Sequence, residues 1–247
     1  MKRRAFTIIP LILFAIAGGL IAQQRGPKAL VVEPRFEMGY MPQMCKVAHT
    51  FWVNNIGTDS LRIHNVNVSC GCTKATNPTK PVAVNDSVPI EIVFDAGTRK
   101  KAQNKTVTVS SNDPVSSSLE LAFTCYVYEP SEDVGPVKIT KNEKFDIKNT
   151  DLGKSYTVSF LNKTKTPLTP KAIIWPKEIM TLEMPKSATA PGATGQFIVK
   201  FMPSLPEKNY VKSFTIEFDD AARTRYTLPV RISESLSSAK ANLQKGS

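Results

Sequence analysis

From about residue 28 onward the chain alternates apolar and polar side chains with a period of two, the signature of strands with one face buried. Val47, His49, Phe51 and Val53 share one parity, and Leu119, Leu121, Phe123, Cys125 and Val127 share another face. The pattern predicts strands at Val47 to Val53, Leu61 to Val68, Val88 to Phe94, Thr106 to Ser110 and Leu119 to Val127. Between them stand Asn55-Ile56-Gly57-Thr58-Asp59, Asn85-Asp86-Ser87 and Ser111-Asn112-Asp113-Pro114, the residue types that tight turns require. Turn signals recur at the roughly 8 to 12 residue spacing of an all-β sandwich, and no stretch carries the 3.6-residue period of an amphipathic helix.

The pattern is then written a second time. Asn55 pairs with Asn162, Leu61 with Leu168, Phe94 with Phe201, Val107 with Phe214 and Leu121 with Leu228, every pair 107 positions apart. One ungapped register across the most apolar strands implies a tandem duplication. The expected organisation is two seven-stranded immunoglobulin-like β-sandwiches, at 28–130 and 137–234, joined by a linker at 131–136 and followed by a polar tail at 235–247. Pro130, Gly135 and Pro136 make the junction a poor ladder former.

Residues 1–22 read differently: Lys2, Arg3 and Arg4 precede an apolar stretch from Phe6 to Ala22, the layout of a secretory signal peptide. The expectation is export, to the periplasm or the outer-membrane periphery of a Gram-negative bacterium, with no transmembrane span once the leader is removed. The chain has 247 residues, 41% of them hydrophobic, and a formal charge of +11, which stays clearly positive without the leader. A basic exported protein meets anionic surfaces and acidic partners. Its Lys and Arg are scattered through loops without interleaved aromatic rings, so nucleic acid is not expected as a partner.

No GxSxG, HExxH, GxxxxGK[ST] or GxGxxG run occurs, and no cofactor is implied. Asp219-Asp220 and Glu91 with Asp95 are the nearest approach to a carboxylate pair, and turn capping accounts for them better than a glycosidase cleft. Chemistry is concentrated in the first half, which holds all four Cys and both His: Cys45, His49, His64, Cys70, Cys72 and Cys125. Alternating strand directions would bring Cys45, Cys70, Cys72 and Cys125 to one pole. Three readings stay open. Cys45, Cys70, Cys72 and Cys125 are disulfide candidates in an oxidising compartment, with Cys70 and Cys72 too close in sequence to bridge each other and each seeking Cys45 or Cys125. Alternatively Cys125, on the apolar face with Phe123 and Val127, is a free cysteine serving as a small apolar residue. Or Cys70, Cys72 and Cys45 with His49 form a soft-metal site. His49, in parity with Val47 and Phe51, is otherwise a core-edge histidine, and His64 a surface one.

Arg35-Phe36-Glu37-Met38-Gly39, His49 to Asn55, Ser69-Cys70-Gly71-Cys72-Thr73, Ile90 to Asp95 and Ser111-Asn112-Asp113-Pro114 together resemble a bacterial family of exported domains of unknown function that carries a Ser-Cys-Gly-Cys-Thr signature. That family is similar to the MSP, ASH and Hydin-like modules, immunoglobulin-like sandwiches of the PapD-like type. The second half departs from it: Lys177-Glu178-Ile179 stands where Cys70-Gly71-Cys72 would be, and Pro191-Gly192 where the first half has Asn85-Asp86. The resemblance implies a non-enzymatic binding or scaffolding protein, a subunit or accessory of a cell-envelope complex whose partners are other envelope proteins. The alternative it leaves is a PapD-like periplasmic chaperone, for which Leu119 to Val127 resembles the donor strand offered to a client.

Overall fold

A computed structural model describes residues 25–204 and 210–233; the leader expected at 1–22 and the polar tail expected at 235–247 lie outside them. The first half supplies β1 (Ala29–Leu30), β2 (Arg35–Pro42), β3 (Lys46–Asn55), β4 (Ile63–Val68), β5 (Thr73–Ala75), β6 (Ser87–Asp95), β7 (Lys101–Ser111) and β8 (Ser118–Tyr128). The second half supplies β9 (Val137–Lys141), β10 (Phe145–Lys148), β11 (Ser155–Asn162), β12 (Pro170–Ile174), β13 (Met180–Glu183), β14 (Thr194–Phe201), β15 (Tyr210–Phe218) and β16 (Arg225–Ser233). The fold is all-β, two immunoglobulin-like sandwiches in tandem, each with its own apolar core. Among the described residues the single helical element is one 3-10 turn, Asn149–Asp151.

Each sandwich has eight strands rather than the seven expected. The extra strand comes from the segment before β3, which is split: Ala29–Leu30 pairs with β3 in one sheet and Arg35–Pro42 pairs with β8 in the other. Pro34, which lacks an amide proton, ends the first ladder and lets the chain cross over. The second half repeats the device with β9 on β11 and β10 on β16.

The 107-residue relation extends to individual hydrogen bonds. Asn55, fully buried, donates its amide to the carbonyls of Asp59 (2.9 Å) and Val82 (3.0 Å). Asn162, also fully buried, donates to Thr166 (2.9 Å) and Thr189 (2.9 Å). The isolated bridges Leu61–Val82 and Leu168–Thr189 keep the same offset. So do Asn85 and Gly192, whose amides bond the Asn55 and Asn162 carbonyls and whose φ angles are +63° and +70°. Val84-Asn85, not Asn85-Asp86, is therefore the counterpart of Pro191-Gly192. Asn tolerates the left-handed conformation that Gly adopts freely, so the turn survives the exchange. In the Ser111-Asn112-Asp113-Pro114 run, Asp113 is buried and accepts the amides of Ala29, Val115 and Ser116. Burial opposes its charge, and the three amides outweigh it and hold the carboxyl below the usual range.

The two sandwiches share a sheet. Its strands run β12-β15-β16-β2-β8-β7-β4, with β10 also on β16, and the join is the parallel pairing of Tyr40 in β2 with Tyr226 in β16. Their rings stack at 5.1 Å. Gly39 sits at a register shift in β2 with φ +68°, and a Cβ there would collide with the Arg225 carbonyl, so only glycine admits this approach. Arg225 fills the corner, bonded to buried Glu217 (2.9 Å) and to the Glu37 carbonyl (3.3 Å) and lying over the Phe36 ring. At the start of β9, the Val137 carbonyl accepts the Tyr226 hydroxyl at 2.6 Å, which pins the end of the connection to the same seam.

The expected donor strand is not available. β8 lies between β7 and β2, and Leu121, Phe123, Cys125 and Val127 are buried in their own core. The alternation that suggested an offered strand is the ordinary inward face of an interior one.

Candidate functional site

All four cysteines gather at one end of the first sandwich. The Asp95 amide bonds the Cys72 carbonyl and the Ala96 amide the Cys45 carbonyl, so Cys45 and Cys72 flank the end of β6. Cys125 is close enough to interact electrostatically with Cys45. The bond that forms is Cys70–Cys72, with Cα atoms 5.3 Å apart, within ordinary disulfide reach. That corrects the expectation that each would seek Cys45 or Cys125. The reason is local: Cys70-Gly71-Cys72-Thr73 is a turn closed by the Thr73 amide on the Cys70 carbonyl, and exposed Gly71 lets the chain double back. Cys45 and Cys125 remain buried free thiols, both pushed up to about 12 by burial. The Cys45 thiol donates to the Pro42 carbonyl at 3.0 Å.

The proposed metal set of Cys70, Cys72, Cys45 and His49 is not assembled. His49 is held elsewhere, stacked on Phe36 at 3.8 Å and edge-on to Phe51 at 4.6 Å. Among the described residues no group of three or more His, Cys, Asp or Glu side chains is placed to hold a metal ion. Burial lowers the His49 pKa to about 4, so the ring is neutral at physiological pH. The carboxylates cap turns or pair with cations. Asp219 accepts the Thr169 amide, Asp220 the Thr224 amide and hydroxyl, and Asp95 the Gly97 amide.

A cleft of about 520 Å³ lies between the sandwiches. Its first wall is the face of β3, with Thr50, Trp52 and Asn54, and the stretch Val31–Glu33 that follows β1. Its second is the end of β12 with Trp175 and Pro176, and its floor carries Glu91, Lys212 and Ser213. The chain has only two tryptophans, and both line this cleft. Trp52 is 53% exposed, Val32 76% and Ile174 37%, an apolar surface left facing water on a protein whose cores are otherwise closed. The floor is fixed by contacts across the seam. Ser213 donates to the Ala48 carbonyl at 2.6 Å and accepts its amide at 3.2 Å, and Lys212 pairs with Glu91.

Sequence reasoning missed this site. Trp52 did carry a signal: it shares parity with Thr50 and Asn54, the outward positions of β3, where a large aromatic ring has no core to fill. Trp175 and Lys212 carried none, because what places them opposite β3 is the seam.

Residues 30–127 match the family described as "Protein of unknown function (DUF1573)". The match covers the first sandwich, the half that carries the Ser-Cys-Gly-Cys-Thr run, and so accords with the resemblance read from those residues. None of the curated proteins compared with the chain matches it. Among solved structures the chain is similar to a protein of unknown function from Porphyromonas gingivalis W83, at 10% identity and TM-score 0.35, over 84% of this chain and 99% of that one. It is also similar to the YadV chaperone, at 13% identity and TM-score 0.31, over 83% and 99%. A third is the ASH / PapD-like domain of human CEP192, at 9% identity and TM-score 0.34, over 51% and 99%. Likeness at this level carries no argument about activity. No helix of the described residues is long and apolar enough to cross a membrane.

Proposed function

We propose that this is a non-enzymatic exported binding protein, a subunit or accessory of a cell-envelope assembly, which engages its partner in the cleft between the two sandwiches. The reading takes residues 1–22 as a secretory leader, 28–130 and 137–234 as the two copies of a duplicated module, and 131–136 as their connection. One observation carries it: both tryptophans, together with exposed Val32 and Ile174, converge on one concave surface. Exposed apolar surface gathered in a concavity is what a protein-binding site requires, and aromatic anchors supply most of the energy of such sites. Strand addition along β8 is no part of the proposal, because that strand has neighbours on both sides.

The test is co-purification of the tagged protein from its native envelope at native expression level, alongside a Trp52→Ala, Trp175→Ala variant shown to fold by circular dichroism. A stoichiometric envelope protein recovered with the parent and lost with the variant is the expected result. The same partner retained by the variant, or none recovered with the parent, overturns the reading.

A further inference from the structure

We propose that the cleft receives an extended peptide segment of the partner in which apolar residues alternate with lysine or arginine. The inference rests on the cleft being the binding site, and charge and hydrogen bonding then narrow the occupant.

On a chain of formal charge +11, the ionisable residues that line the cleft are, besides neutral His49, Glu33, Glu91 and Glu178 against Lys212. Lys212 and Glu91 neutralise each other. Glu33 and Glu178 are exposed and make no ion pair among the described residues, so the cleft presents two carboxylates to whatever enters it. A cation brought there recovers Coulomb energy in a partly desolvated space. The indole faces favour the same charge: Lys177 already lies 5.0 Å from the Trp175 ring centre, and Trp52 is left for an incoming cation.

A sugar would also stack on tryptophan, but it must be read by several polar groups, and few of those in the cleft are open: Ser213 is engaged with Ala48, and the Asn54 amide with the carbonyls of Leu30 and Trp52. What stays open besides the carboxylates and the Thr50 hydroxyl is Val31, Val32, Ile174 and the indoles, which suit aliphatic side chains. Two sheet edges border the space. β1 is the outer strand of its sheet and runs directly into Val31, and β12 is the outer strand of the large sheet and ends at Ile174. Unpaired edge amides and carbonyls hold an extended backbone, and the period of two then sends alternate side chains to the apolar walls and to the carboxylates.

Because both tryptophans line the cleft, intrinsic fluorescence of the purified protein reports its occupancy. The probes are an end-blocked seven-residue peptide alternating Val and Lys, the same peptide with Glu in place of Lys, and a chito-oligosaccharide. The expected result is a saturable emission change with the Val-Lys peptide, at least about tenfold tighter than with the Val-Glu peptide, and weakened by added salt. Glu33→Gln with Glu178→Gln, two exposed isosteric changes, is expected to weaken it about tenfold without altering the unfolding midpoint. Equal binding of the two peptides, or binding of the oligosaccharide alone, overturns the cationic-peptide inference while leaving the cleft as the binding site. Silence from all three probes also overturns it, and the envelope co-purification then judges the cleft separately.

Discussion

The Thr227 hydroxyl donates to the Met38 carbonyl at 2.6 Å across the seam between the sandwiches. Met38 is 1% exposed and belongs to the first core, whereas Thr227 belongs to a strand whose neighbours Tyr226 and Leu228 lie in the second. The two cores are thus joined by a side-chain hydroxyl on a main-chain carbonyl, a contact that requires the close backbone approach of β2 and β16.

Gly39 is where that geometry is least forgiving. Gly39→Ala must leave the left-handed conformation or push the Arg225 carbonyl away, and it is expected to cost about 2 kcal/mol or more. Scanning calorimetry will show a lower midpoint, or two separated transitions where the parent has one. Gly71→Ala is the control: a Cβ there meets nothing within 4 Å, and the midpoint will stay within the error of the parent.

Asn55 and Asn162 each use both ends of a buried amide. Replacing either with Asp removes the two donors while keeping the shape, leaves the Val82 or Thr189 carbonyl with only its backbone partner, the Leu61 or Leu168 amide, and sets carbonyl oxygens against a buried carboxylate. Each change is expected to cost about 2 to 3 kcal/mol in urea unfolding. The Asn55 variant will weaken protection from hydrogen exchange mainly in the first sandwich, and the Asn162 variant mainly in the second.

His49 makes the fold sensitive to mild acid. Its pKa is lowered from about 6.5 when unfolded to about 4 when folded, so the unfolded state takes up a proton first. The stability that depends on the neutral ring is complete above pH 6.5 and is lost as pH falls from there towards 4, on the order of 3 kcal/mol in all. Urea midpoints measured between pH 7 and 4 will fall for the parent and fall less for His49→Phe. Asp113 and Glu217 are held below the carboxylate range, and their contribution is lost only at lower pH.

The cysteines divide into two accessible states. In the folded protein without reductant, iodoacetamide at pH 8 is expected to label none of the four, since Cys70 and Cys72 are bonded and the buried thiols of Cys45 and Cys125 are almost wholly protonated. Denaturation alone will expose two reactive thiols, and denaturation with reductant four, counted by intact mass. Labelling of Cys70 in the folded, unreduced protein contradicts the pairing.

The sandwiches and their repetition were legible because alternation reports burial directly: the parity of Leu121, Phe123, Cys125 and Val127 is the parity of the core. The same information misled about the role of β8, since an inward face reads identically whether a strand is interior or on offer. Pro34 was visible, but the sheet that each side of it joins is decided by partners far along the chain. The Cys70–Cys72 bond was missed because two-residue spacing was judged on an extended backbone, and the turn at Gly71 is not extended. Trp52 alone among the cleft residues could have been singled out, by its parity.

One sheet runs from β12 through β16 and β2 to β4, so a single ladder spans both sandwiches. The Ile174 end of β12 belongs to that sheet and the Trp52 face of β3 to the sheet packed on it in the first sandwich, so widening the gap between them means tearing the Tyr226–Tyr40 pairing. An occupant of the proposed cleft would meet walls already set by that pairing and incur little cost for a shutting motion.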